Sequence, residues 1–85
     1  MYLELKHNAK EYRENTLLTL GKYQHFKGNF YTLLHIAIHS ETEELMAVYQ
    51  PEYGDRKIFV RPLNMFDETI ERDGKTFKRF SYVSE

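Results

Sequence analysis

The stretch "HSETEE", His39 to Glu44, sets a histidine, two hydroxyls and three carboxylates side by side. Such groups act as base, nucleophile and orienting acid only when they converge on one reacting atom. Neighbours at a strand end project to opposite sides, so His39 and Ser40 have the wrong geometry for a triad. Ser40, Glu41, Thr42 and Glu43 suit a solvated hairpin loop instead, with the Ser40 or Thr42 hydroxyl bonding nearby backbone amides. A weaker catalytic reading is a small hydrolase or transferase with Glu41 or His39 as general base and Arg61 stabilising charge. The chain has no nucleophile motif, no phosphate loop and no convincing metal set, so it reads as a non-enzyme and no cofactor is expected.

Histidines 25, 35 and 39 are the natural candidates for a metal. On one strand His35 and His39 share a face but stand four residues apart, roughly 13 Å, too far for a single ion. His25 faces the other side, and no metal site is expected. The "YGDR" segment holds more promise. Tyr53, Asp55 and Arg56 lie in a loop whose polar groups are free to meet a ligand, and Arg61 leaves a strand at a corner set by Pro62. Arg61 can hold an anionic group bidentately, or pair with Glu41, Glu43 or Asp55 and lock two loops together. Tyr53 and Phe59 can stack on a base or pack inside the domain.

These residues need a scaffold. Eighty-five residues make one domain. At this size only roughly 60% of the chain's surface is buried, so any site is shallow or shared with a partner. Hydrophobic residues make up 41% of the chain, with seven Tyr and six Phe to supply the core. There is no cysteine, which excludes disulfides, thiolate chemistry and Cys-ligated zinc. Twelve Lys and Arg face 13 Asp and Glu, evenly spread between the halves, so the strongly basic field of a duplex-binding protein is missing. With no apolar leader and no stretch of membrane-spanning length, the expectation is a soluble cytoplasmic protein.

Asn8 and Glu11 have capping-box spacing, and Ala9, Tyr12, Thr16 and Leu20 recur at helical intervals before Gly21. The spacing predicts a short helix over Ala9 to Leu20, preceded by "MYLEL" as an edge strand or loose end. Residues 1–20 thus read as an extension and 21–85 as the domain proper. From Gly21 the period becomes two, in "KYQHF", "FYTLLHIAIH", "ELMAVYQ", "KIFVR" and "ETIERDGKTFKRFSYV", with turn-forming residues between the runs.

A two-residue turn at Gly28-Asn29 sets Tyr23 opposite Leu34 and His25 opposite Thr32. A turn over Ser40 to Glu43 sets Leu34 opposite Tyr49, Ile36 opposite Ala47 and Ile38 opposite Leu45. One face then holds Tyr23, Leu34, Ile36, Ile38, Leu45, Ala47 and Tyr49, the expected core. "PLNMFDE" reads as a helical turn carrying Met65 and Phe66 inward, and Asp73-Gly74 as a hairpin pairing Ile70 with Phe77 and Glu68 with Arg79. The basic residues of that hairpin alternate with aromatics, as in single-stranded nucleic acid binders, but neighbouring carboxylates make cross-strand ion pairs the simpler account. The expected fold is mainly β, a small antiparallel SH3-like β-barrel with a short N-terminal helix; an OB-like barrel is the second choice.

Five segments, "GKYQHFKGNFY", "HSET", "VYQPEYG", "VRPLNMF" and the closing "RF" (Arg79, Phe80), come in an order and spacing that resembles the small bacterial domains grouped as domain of unknown function family 1653. The resemblance covers about residues 21 to 82. Phe59 departs from it, standing where tryptophan is expected before Val-Arg-Pro. The resemblance implies a small soluble domain and supplies no activity.

Taken together, the residues point to a noncatalytic binding module. His39, Ser40, Glu41, Thr42, Tyr53, Asp55, Arg56 and Arg61 are the candidate contacts for a peptide, a nucleotide or single-stranded nucleic acid. The alternatives are the small hydrolase or transferase above and a structural protein–protein interaction domain, monomeric or paired as a homodimer through a strand edge.

Overall fold

The computed structural model of the chain describes residues 18–85. The "MYLEL" segment and most of the helix expected over Ala9 to Leu20 lie outside the described residues; Leu18 to Leu20 are not helical. Seven strands follow: β1 Gly21–His25, β2 Phe30–Ile38, β3 Leu45–Pro51, β4 Phe59–Pro62, β5 Thr69–Arg72, β6 Lys75–Lys78 and β7 Phe80–Ser84. One turn of helix, α1 Leu63–Phe66, joins β4 to β5. Every pairing is antiparallel, in a five-stranded sheet of order β4-β3-β2-β1-β7 and a separate β5-β6 ribbon.

The expected barrel is therefore corrected to an open sheet. Pro62 ends β4 after four residues because it has no N–H to extend a ladder. The chain then leaves the sheet through α1 and the ribbon, and β7 returns beside β1, so β4 and β7 remain as edges rather than closing on each other. The ribbon is anchored where the Arg79 amide donates to the Glu68 carbonyl and the Phe26 amide donates to the Arg79 carbonyl. Its register is the expected one, with Ile70 opposite Phe77 around the Asp73-Gly74 turn. The expected ion pairs form at its base, Arg79–Glu68 and Lys78–Asp67, each at 3.0 Å.

The β1–β2 register differs from expectation. The His25 amide donates to Asn29 O and the Gly28 amide to His25 O, which closes a three-residue loop of Phe26, Lys27 and Gly28. Tyr23 then faces Tyr31, not Leu34. An odd shift turns every β2 side chain to the other face, yet Ile36–Ala47 and Ile38–Leu45 pair as expected. A bulge between Leu33 and His35 reconciles the two: Leu34 is the extra residue, so Leu33 and Ile36 both face inward although three positions apart. Leu33, 1% exposed, takes the core position expected of Leu34, and Ile38 is 40% exposed near the end of its strand.

The core comprises Tyr23, Leu33, Ala47, Tyr49, Leu63, Phe66 and Phe80. α1 covers this face of the sheet. Leu63 and Phe66 point in at the i, i+3 spacing of one helix side, while Met65, expected to be inward, is exposed. The Phe66 ring stacks flat on Phe80, centroids 4.2 Å apart, and meets Tyr23 edge-on at 5.2 Å. Among the described residues no helix is long and apolar enough to cross a membrane.

Candidate functional site

The HSETEE segment is a turn, and His39 is what shapes it. The His39 amide donates to Glu44 O, the Glu43 amide donates to His39 O, and Glu43 takes a left-handed conformation, φ 65°. The ring folds over the loop so that His39 Nδ1 accepts from the backbone amides of Glu41 (3.0 Å) and Thr42 (3.2 Å). Thr42 Oγ1 accepts from the Glu44 amide at 3.3 Å, as expected of a loop hydroxyl. Ser40 and Glu41 are exposed. The same device opens the first hairpin, where His25 Nδ1 accepts from the Lys27 amide at 3.1 Å. Both acceptor roles need an unprotonated Nδ1. With His25 closing β1, His39 folded over its own turn and His35 exposed on β2, no group of three or more His, Asp or Glu comes together among the described residues.

Arg61 lies elsewhere. It pairs with Ala47 on β3, two strands over and three residues along from His39, roughly 14 Å by strand spacing and rise. Among the described residues no carboxylate pairs with it, so it does not lock loops through Glu41, Glu43 or Asp55. Its Nε donates to the Tyr49 hydroxyl at 3.0 Å, and the guanidinium lies 5.4 Å from the Tyr49 ring centre and 5.8 Å from that of Phe80. With Nε so used, its two terminal nitrogens have no acceptor among the described residues. A half-buried guanidinium pinned by one nitrogen and backed by rings presents an oriented two-donor edge, which suits a carboxylate or phosphate.

Rings extend this face. Tyr31 contacts Tyr49 at 5.9 Å and Phe80 at 5.2 Å, and its hydroxyl lies 2.7 Å from that of Tyr53. Burial, the hydrogen bond to Tyr53 and the neighbouring phenols push the Tyr31 hydroxyl up to about 12, against the opposing pull of Arg61, so it stays protonated. Phe59 alternates with Arg61 along β4 and meets Tyr49 at 6.1 Å. Its ring is 47% exposed, not core. Between Pro51, Tyr53 and Phe59 opens a cleft of about 250 Å³, with Asp55, Arg56 and Lys57 also lining it. The loop forming its wall is held by the Gln50 side-chain amide, which donates to Arg56 O at 2.5 Å, and Arg56 itself sits at φ 57°. Its start is tied where Glu52 accepts from Thr32 Oγ1 at 2.9 Å.

Of the eight candidate residues, Tyr53, Asp55, Arg56 and Arg61 thus border one aromatic face. His39, Ser40, Glu41 and Thr42 sit at the opposite end of the β2–β3 hairpin, since Tyr31 pairs with Pro51 there and His39 lies eight residues on, roughly 26 Å. Sequence reasoning missed Tyr31 and Tyr49 as site residues. The expected register set Tyr31 on the face opposite the core, whereas Tyr49 lies in the core as expected, 6% exposed, with its hydroxyl reaching Arg61 Nε.

His25 lies against the same cluster, with its ring 5.0 Å from Phe80 and 6.1 Å from Tyr31. Burial first, then the charges of Arg79, Lys27 and Arg61, lower its pKa below the ordinary value of 6.5. Below that value the unfolded chain takes up a proton that the folded one resists. The contribution of His25 to stability is therefore full above pH 6.5 and is lost as pH falls through the lowered folded value. Urea midpoints measured from pH 7.5 to 5.5 should fall more steeply in the native protein than in His25→Asn, which keeps an acceptor for the Lys27 amide and cannot titrate. Parallel slopes would show that His25 does not carry the effect.

An open antiparallel sheet with one helical turn on its core and an arginine set among tyrosines at its edge defines a small, mainly β domain. The chain belongs to the family described as "Protein of unknown function (DUF1653)", whose pattern matches residues 21–82. Among solved structures it is similar to the crystal structure of a protein of that family from Bordetella bronchiseptica, with 32% identity and a TM-score of 0.70, covering 78% of this chain and 87% of the other. Among curated proteins none is similar enough to count as a match.

Proposed function

We propose that this domain is a noncatalytic binding module that takes an anionic group on Arg61. The observation that supports it most directly is the guanidinium itself. It is anchored through Nε to Tyr49, flanked by Phe80, and left without a carboxylate among the described residues. A cation held in one orientation and partly desolvated gains more from a bidentate anion than a freely moving surface arginine does. The test is a titration of the full ¹⁵N-labelled chain with inorganic phosphate and with acetate, following the backbone amides and the Arg61 Nε–H. Shifts should centre on Arg61, Tyr49 and Tyr31. Arg61→Gln should weaken phosphate binding about tenfold or more, the scale of a lost charge-assisted hydrogen bond. Equal binding by a folded Arg61→Gln protein would rule the site out.

A further inference from the structure

Resting on that reading of Arg61, we infer that the adjoining cleft between Tyr53 and Phe59 takes the base of a nucleotide whose phosphate Arg61 holds. Tyr53 and Phe59 are 48% and 47% exposed and line the same open cleft. Two half-exposed rings on one cleft offer stacking surface to a planar ring, and every base has such a face. The spacing suits one small ligand. Phe59 and Arg61 are alternate residues on one side of β4, about 6.6 Å apart along the strand, with the Tyr49 ring touching both.

Charge argues the same way. Arg56 and Lys57 on the cleft and Arg61 beside it set three cations against the single carboxylate of Asp55. That one acid has a use, because a carboxylate accepts from the exocyclic amine of cytosine or adenine, which uracil lacks. The lining also disfavours an apolar peptide side chain. Such a group gains by entering a dry pocket, whereas this cleft is open and walled by charged residues; a base has polar edges that remain satisfied there. The wall is set before any ligand arrives, since Gln50 holds the Arg56 carbonyl and fixes a left-handed turn that a non-glycine residue adopts only when its surroundings impose it.

The experiment extends the NMR titration of the full chain to AMP, CMP, UMP, a single-stranded hexanucleotide and N-acetylphenylalanine, with inorganic phosphate as reference. AMP and CMP should bind about tenfold more tightly than phosphate, with UMP weaker, and ring-current shifts should appear at residues 53 and 59. Tyr53→Ala and Phe59→Ala should remove that gain, read in each variant as the ratio of AMP to phosphate affinity falling to about one, while Arg61→Gln should weaken every ligand. A hexanucleotide that binds more tightly than AMP marks the source as a strand, and equal binding marks a free nucleotide; either supports the inference. Phosphate binding with no gain from any base, or a gain from N-acetylphenylalanine alone, overturns the nucleotide assignment and leaves the Arg61 reading intact. Silence with every anion overturns both.

Discussion

Phe66→Ala is expected to remove most of the stability of this domain. The ring is fully buried, lies flat on Phe80 and meets Tyr23 and Tyr49, so truncation empties the contact between α1 and the sheet. Such a change in a core costs about 3–5 kcal/mol. A folded unit of this size has roughly 3–10 kcal/mol in total, so the variant should be largely unfolded or lose its urea transition at modest denaturant. Far-UV circular dichroism against urea measures it. Phe66→Leu, which keeps most of the volume, should cost roughly 1 kcal/mol. A loss below about 1 kcal/mol for the alanine variant would show that α1 is not what closes the core.

The second large effect belongs to a position with no side chain. Gly21 opens β1 at φ 134°, a conformation L side chains rarely adopt, and a Cβ there would lie 2.6 Å from the Ser84 carbonyl oxygen and 2.9 Å from Glu85 Cα. Alanine must therefore either strain its own backbone or push β7 away from β1. The expected cost of Gly21→Ala is about 2–3 kcal/mol, and β7 amides should lose protection from hydrogen exchange before the rest of the sheet. Gly28→Ala is the control. Gly28 also has positive φ, 113°, but nothing lies within 4 Å of the added carbon, so only the backbone term of about 1 kcal/mol applies. Equal losses for the two variants would mean that the close approach of β1 and β7 is unimportant.

Much of this architecture can be read locally. Asp73-Gly74 joins two short strands whose pairing follows from turn length, and Glu68 and Arg79 meet as that count requires. The loop over Ser40 to Glu43 likewise sets Ile38 against Leu45. Strand positions, turn positions and ion pairs beside a tight turn depend on residues a few places apart, which the chain states directly. The HSETEE loop was legible as a turn for the same reason. That the His39 ring, and not only a hydroxyl, accepts its amides depends on a rotamer that spacing does not reveal.

The face around Arg61 was half legible. A polar loop next to an arginine at a proline corner drew attention to Tyr53, Asp55, Arg56 and Arg61 from residue types alone. Their neighbours were hidden by two compensating features: a first hairpin loop one residue longer than the Gly28-Asn29 pair suggested, and a bulge at Leu34 that restores the alternation. Because side chains alternate with a period of two, each feature by itself turns half of β2 over, and Tyr31 moves from the solvent side to the core side. By itself the sequence determined the strand runs from Gly21 onward and the turns over Ser40 to Glu43 and at Asp73-Gly74, since those depend on neighbouring residues. Only the tertiary structure decided that the sheet stays open and that Arg61 meets Tyr49 and Phe80. Such contacts join residues distant in the chain, and strand register, not local chemistry, selects them.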